Sequence, residues 1–253
     1  MGLAGRVALV TGGGRGIGRA ISLALAEDGA DVAVNYAKDE TAAKETVAEI
    51  EKLGRRARAY AARVEDGDAC ARMVDAAVAD FGFVDILVNN AGIASRGNTV
   101  EKTDPLELER VVRVHALAPH RLCQLVLPSM KTRPRGDIVM ISSVATTSFN
   151  AGGAPYNMGK AALEALAWTL AKEVKKRGIH VNVVAPGLVE TEMGRRLMKA
   201  TAGIDDLRKL DASMPFGRIC QPEDVAGAVR WLVSDQASYV TGEKIKVYGG
   251  GQA

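Results

Sequence analysis

Cysteine and histidine are scarce in this chain: three of each among 253 residues. Cys70, Cys123 and Cys220 share no paired spacing, which argues against a disulfide frame or a thiolate metal site. They read as reduced, mostly buried thiols. His115, His120 and His180 are too few to expect a histidine metal centre, so no metal is expected. Charge of one sign is not in excess either. The net charge is +3 and the pI about 8.7, too mild to argue for nucleic acid, and no motif that reads DNA or RNA is present. No apolar run approaches the ~18 residues needed to span a bilayer. No leader is expected before the first apolar run, and a cytoplasmic location is the expectation. Linkers, repeats and low-complexity stretches are absent as well.

What remains is ordinary for a globular chain: 47% hydrophobic and 25% charged residues, at a length ample for a proper core. Short β-rich runs at 6–11, 31–36, 56–61, 85–89, 137–143, 179–184 and 243–248 alternate with helical patterns at 16–28, 40–53, 67–81, 106–131, 155–176 and 222–234. Gly29, Gly54 and Gly82 stand where the first three helices should stop. Such alternation predicts an α/β fold: one Rossmann-type, doubly wound domain over residues 1–253, with about seven parallel strands and helices on both faces. One segment, 190–218, is charged, rich in Met and Arg, and weakly periodic. It is a candidate substrate lid, and an ordinary helical surface excursion stays open beside that reading.

Between the first strand and first helix lies Thr11-Gly12-Gly13-Gly14-Arg15-Gly16-Ile17-Gly18. Glycines let a phosphate approach the backbone, and the helix N-terminus behind them offers free N–H groups. The spacing Gly-x-x-x-Gly-x-Gly is neither a Walker A loop nor a strict Gly-x-Gly-x-x-Gly. Its place after the first strand points to a dinucleotide cradle. The second strand should end in an acid if NAD ribose hydroxyls are to be bound. Here Asn35-Tyr36-Ala37-Lys38 stands instead, with Arg15 in the turn. NADPH/NADP+ is the expected cofactor, with NAD not excluded.

Tyr156 and Lys160 open a long helical pattern one turn apart, on one face. An ammonium beside a phenol favours the phenolate, so the tyrosine is expected to titrate below its usual pKa of about 10. Alone, the pair reads first as a tyrosine packed along a lysine stem.

In order along the chain, Thr11–Gly18, Asn89-Asn90-Ala91-Gly92, Ser143, Tyr156-x-x-x-Lys160 and Pro186-Gly187 resemble the short-chain dehydrogenase/reductase family, and within it the 3-oxoacyl-[acyl-carrier-protein] reductase-like ketoreductases. Tyr239-Val240-Thr241-Gly242-Glu243-Lys244-Ile245-Lys246-Val247 supports that grouping. The resemblance implies an NADPH-dependent carbonyl reductase that transfers hydride to a ketone, with 3-oxoacyl thioesters among the candidates. Ser143 would hydrogen-bond the carbonyl, Tyr156 would donate the proton, and Lys160 would bind ribose. It assigns Gly12, Gly14, Arg15, Gly16, Ile17, Gly18, Tyr36, Lys38, Val64, Asn90, Ala91, Gly92, Tyr156, Lys160, Pro186, Gly187, Val189 and Thr191 to cofactor binding. It also implies a homotetramer. An acyl thioester on CoA or on an acidic carrier protein would be the partner, the carrier docking at basic clusters within 131–135 and 172–177. Net alcohol oxidation by the same residues and a non-catalytic dinucleotide-binding regulator are the alternatives.

Two positions depart from the family pattern. His115 occupies the usual asparagine position, whose carbonyl holds a relay water. Pro119, four residues on, has no N–H for that carbonyl, so the water site is expected to survive and the helix to bend. The imidazole itself could instead join the relay or sense pH. Arg63 stands where an aspartate commonly contacts adenine; an arginine cannot accept that hydrogen bond and is expected to face solvent.

Overall fold

In the computed structural model, which describes residues 2–250, seven strands build one wholly parallel sheet in the order β3-β2-β1-β4-β5-β6-β7. Met1 and residues 251–253 of the span expected as one domain lie outside the described residues. The strands are β1 (Val7–Val10), β2 (Asp31–Tyr36), β3 (Ala57–Ala61), β4 (Ile86–Asn89), β5 (Gly136–Ile141), β6 (Ile179–Pro186) and β7 (Lys244–Val247). The helices are α1 (Gly16–Glu27), α2 (Glu40–Lys52), α3 (Gly67–Phe81), α4 (Pro105–Val112), α5 (Ala118–Met130), α6 (Ala145–Ser148), α7 (Ala154–Val174), α8 (Glu192–Ala202) and α9 (Pro222–Leu232). The expected doubly wound fold is therefore found. No helix among the described residues is long and apolar enough to cross a membrane.

Successive strand residues point to opposite faces, and the core obeys that rule. Val7 and Leu9 of β1, with Ile138 and Met140 of β5, pack in one layer against α3, α5 and α7. Ala8 and Val10, with Val139 and Ile141, pack in the other against α1 and α9. Continuous apolar runs are what a strand covered on both faces requires. Gly29, Gly54 and Gly82 end their helices with φ of 104°, 76° and 91°.

Strand order reverses at β1: β2 and β3 lie to one side, β4 to β7 to the other. A crevice opens there, outside the carboxyl ends of β1 and β4. The parallel register Val10↔Val88 places the glycine turn and the Asn-Ala-Gly loop side by side at its rim.

The sequence expectations need correction at two places and sharpening at a third. The helix expected over 106–131 is two helices, α4 and α5, joined by a π turn at Arg113–Leu117, where the Ala118 N–H reaches back to the Arg113 carbonyl. Pro119 cannot supply the next α-helical hydrogen bond, and the chain absorbs that loss in a wider turn. The weakly periodic segment 190–218 contains α8, the helical excursion left open beside the lid, capped by Thr191 and stopped at Gly203 (φ 68°). Strand β5 stops at Ile141, so Ser143 lies on the loop beyond it and not at the strand end.

Candidate active site

The glycine turn is held in shape by polar side chains from three neighbouring strands. Thr11 Oγ1 accepts the N–H of Asn90 and of Ala91, both at 2.9 Å. Asn90 Nδ2 donates to the Thr11 carbonyl at 2.8 Å, knitting the β4 loop to the turn. Asn35 Oδ1 accepts the Gly12 N–H at 3.1 Å, while its Nδ2 donates to the Ala62 carbonyl at 3.0 Å beyond β3. A Cβ at Gly18 would stand 2.1 Å from the Gly12 carbonyl oxygen, so only glycine lets the turn close on α1. Arg15, the N-cap of α1, makes no side-chain capping bond, which leaves the N–H groups of the first helical turn to a ligand.

Those features fit a dinucleotide diphosphate. Two exposed cations, Arg15 and Lys38, flank it, with Arg15 Nη1 3.0 Å from Glu192 Oε2. The acid nearest in sequence after β2, Asp39, has its carboxylate on the Ala42 N–H as the cap of α2. No acid therefore stands free at the end of β2 where a ribose 2′-phosphate would need cations. Tyr36 ends β2 and is half-buried. Val64 is buried in the core layer under β3, and Arg63 is exposed and paired with Glu65 at 2.8 Å, as expected of it. Gly187 follows β6, its N–H on the Val247 carbonyl. Val189 bridges to Cys220, and the Thr191 methyl packs beside Gly16, bringing the segment after β6 onto the glycine turn.

Across the crevice, α7 presents Tyr156 in its first turn and Lys160 in its second. The Lys160 amine is buried and donates to the Ile141 carbonyl at 2.6 Å. It lies 5.7 Å from the centre of the Tyr156 ring. The Ser143 hydroxyl accepts the Ala145 N–H at 3.2 Å and is near enough to the Tyr156 phenol to favour its ionised form. Ser143, Tyr156 and Lys160, predicted separately, therefore form one cluster.

The electrostatics differ from the expectation. Burial raises the Tyr156 phenol above its usual pKa, and the Ser143 hydroxyl only partly offsets that. Lys160 is not among the groups that lower it. Burial takes the Lys160 amine down to about 7, with Glu164 pulling back upward. The side chains sit as predicted, but the expected lowering of the tyrosine is not found.

His115 is buried on the π turn with its ring edge-on to Tyr156, the centroids 5.1 Å apart at 78°. Its Nε2 lies 2.8 Å from the Ile93 carbonyl and 3.3 Å from the Ile93 N–H, and Nδ1 has no hydrogen-bond partner among the described residues. A Cβ at Gly92 would stand 2.7 Å from Cε1 and one at Gly159 2.9 Å from Cβ, so two glycines make room for the imidazole. Burial, then the charge of Lys160, holds its pKa near about 3. A ring neutral at every ordinary pH cannot act as a sensor around neutrality. No i+4 donor exists for its carbonyl, since Pro119 has no N–H.

Sequence reading missed Asn35, Thr11 and Glu164, whose partners are distant in the chain. The one available signal was Glu164 itself, an acid continuing the Tyr156–Lys160 face at i+8. Among the described residues, no three His, Cys, Asp or Glu side chains gather to hold a metal ion.

A doubly wound parallel sheet with an uncapped glycine turn facing a Ser–Tyr–Lys cluster defines a nucleotide-dependent oxidoreductase. The family model described as Enoyl-(Acyl carrier protein) reductase matches residues 12–252, and the chain belongs to the short-chain dehydrogenase/reductase family. It is 39% identical over 244 residues to the 3-oxoacyl-[acyl-carrier-protein] reductase FabG of Staphylococcus epidermidis, covering 96% of this chain and 97% of that protein. It is 40% identical over 251 residues to the protein of that name from Escherichia coli strain K12, covering 99% and 98%. A short-chain dehydrogenase from Burkholderia cenocepacia J2315, solved in complex with NADP, superposes with a TM-score of 0.88 at 36% identity, covering 98% of each chain.

Proposed function

We propose that the protein is an NADPH-dependent carbonyl reductase acting on ketones, with 3-oxoacyl thioesters as the leading substrate class. The observation that carries this reading is the single cluster of Ser143, Tyr156 and Lys160 beside an uncapped glycine turn. The curated relatives named as 3-oxoacyl-[acyl-carrier-protein] reductases and the NADP-bound neighbour support the substrate class and the cofactor.

Bound NADPH supplies the hydride. The N-terminus of α1 receives the diphosphate, and Arg15 and Lys38 receive the 2′-phosphate. Pro186, Gly187, Val189 and Thr191 form the wall that holds the carboxamide. Ser143 donates a hydrogen bond to the substrate carbonyl and stabilises the charge that develops on it. Tyr156, whose raised pKa keeps it protonated, delivers its proton to the same oxygen. Lys160 holds ribose hydroxyls. Held against ribose hydroxyls in place of water, the Lys160 amine would favour its charged form and draw the phenol toward ionisation. His115 contributes its carbonyl to the relay water and its ring to the Tyr156 wall. The same groups run alcohol oxidation in reverse.

The residue span forms a single functional domain with 190–218 as its lid. Docking of an acidic carrier at 131–135 and 172–177, a cytoplasmic location and a homotetramer belong to the same proposal.

The test is a screen of ketones, 3-oxoacyl thioesters and enoyl thioesters with both NADPH and NADH, run on the wild type and Tyr156→Phe. We expect carbonyl reduction with NADPH and a loss of about 10²–10⁴-fold in the variant, the usual size of a lost general acid. Cofactor binding without turnover of any carbonyl or alcohol would leave only a dinucleotide-binding regulator.

A further inference from the structure

Behind the reactive face of α7 lies a buried carboxylate that the reaction as described does not use. Glu164 continues the line of Tyr156 and Lys160 at four-residue spacing and is 4% exposed. Its Oε1 accepts a hydrogen bond from Ser142 Oγ at 2.6 Å and lies 2.7 Å from Thr146 Oγ1, whose single proton is shared with the Ser143 carbonyl at 2.8 Å. Lys244, from β7, donates to Glu164 Oε2 at 3.0 Å and to Thr146 Oγ1 at 2.6 Å. Ser142 and Thr146 bracket Ser143 in the chain, and Lys160 holds the Ile141 carbonyl just before them.

We propose that Glu164 is a positioning residue for the reaction: with Lys244 it forms a buried clamp that fastens both sides of Ser143 to the helix carrying Tyr156 and Lys160. The inference rests on the carbonyl-reductase reading. The physical case is that Ser143 lies on a loop past the end of β5, and a loop left to itself samples more than one geometry. Two hydroxyl contacts to one buried carboxylate remove that freedom, and the carboxylate tolerates burial because Lys244 neutralises it. The clamp has an electrostatic side as well. The charged and titratable groups around Lys160 are Tyr156 and Glu164 on its own helix, His115 on the π turn and, through Glu164, Lys244 on β7. Glu164 favours the charged form of Lys160. Lys244 tempers that influence, so the two clamp residues act on Lys160 with opposite signs.

The experiment uses Glu164→Gln, Lys244→Met and the double variant of the full chain. Readouts are kcat, the NADPH Kd by fluorescence as a function of pH, Tm, and hydrogen exchange over residues 142–149. Glu164→Gln should lower kcat about 10- to 100-fold, the size of effect a small misplacement of a reacting group produces. It should leave NADPH affinity at the optimum pH little changed and move the Lys160 midpoint to lower pH. Lys244→Met should move that midpoint to higher pH, because it removes the positive charge that opposes the pull of Glu164 on Lys160. The double variant should return the midpoint towards wild type. Opposed shifts are a signature that lost packing alone does not produce.

Unchanged kcat in Glu164→Gln, or midpoints that move the same way in both single variants, would overturn the proposal. A wild type that binds NADPH and reduces nothing would defeat the functional reading instead. The pH dependence of binding and the exchange of residues 142–149 would then still decide the clamp, which fails if neither changes.

Discussion

Apart from the Glu164–Lys244 pair, the two ends of the sheet handle buried charge differently. At the amino end, aspartates sit where the parallel strands begin and each meets arginine. Asp31 pairs with Arg55 at 2.9 Å and Arg56 at 2.7 Å, Asp85 with Arg133 at 2.8 Å, and Asp137 with Arg6 at 2.6 Å and Arg135 at 3.0 Å. Backbone groups at that edge are satisfied too, since Asp85 accepts the Val7 N–H and Asp31 the Arg56 N–H. At the carboxyl end, Lys160 is buried with a carbonyl as its hydrogen-bond acceptor, and His115 keeps a bare nitrogen. Paired charges at one end tie strands together. Under-paired groups at the other cost stability and leave bonding capacity for a ligand.

The sharpest way to break that contrast is to remove a carboxylate at the amino end. Asp137→Ala leaves Arg6 only backbone carbonyls and leaves Arg135 only the exposed Asp235 and a carbonyl. Removing one member of a buried pair typically costs about 3–5 kcal/mol. Denaturant unfolding should show that loss, while kcat of the folded fraction at 25 °C stays near wild type. A large fall in kcat with intact stability would mean that the amino end also serves the chemistry.

Lys160→Met makes the converse case. Activity should fall at least about 100-fold. Stability should rise by about 1–3 kcal/mol, since an apolar side chain replaces a buried and poorly compensated cation. The sign with pH follows from the lowered pKa. Between about 7 and the ordinary 10.5 the unfolded chain holds the proton that the folded chain has released. The cost of burying Lys160 is therefore full below pH 7 and fades as pH rises through that window. The advantage of the variant should be greatest at pH 6–7 and vanish near pH 10.5. Thermal melts of both proteins across that range measure it, and a variant less stable at pH 6–7 would contradict the contrast.

How far the sequence discloses this arrangement depends on how local each signal is. Runs such as Val7-Ala8-Leu9-Val10 and the glycines at 29, 54 and 82 are local, and the strands and helix ends they predict are found. The pairing of glycine turn with Tyr156 and Lys160 was legible through their order along the chain. Helix α8 was legible only as an open alternative, because its short amphipathic face is set among many charges; Thr191 and Gly203, its cap and stop, were the readable clues. The clamp at Glu164 was invisible because Ser142 is 22 residues away and Lys244 80. The direction of the Tyr156 shift was misjudged for a related reason. Proximity to lysine can be read from spacing, whereas burial of both groups is a property of the folded packing.

The finest test adds a charge at the carboxyl end. Lys38 follows β2 exposed, and the carboxylate of Asp39 beside it is taken by the Ala42 N–H. Lys38→Asp places a free acid where a ribose 2′-phosphate would approach and where ribose hydroxyls would welcome one. The KM for NADPH should rise about 10-fold, equivalent to about 1.4 kcal/mol, and the KM for NADH should fall. An exposed substitution away from the core should keep stability within about 0.5 kcal/mol. A charge at this end should thus be felt by the ligand and ignored by the fold, the reverse of Asp137→Ala. Equal losses with both cofactors would show that Lys38 acts on the loop and not on the phosphate. A substantial drop in Tm would show that the carboxyl end, too, depends on its charges to stay folded.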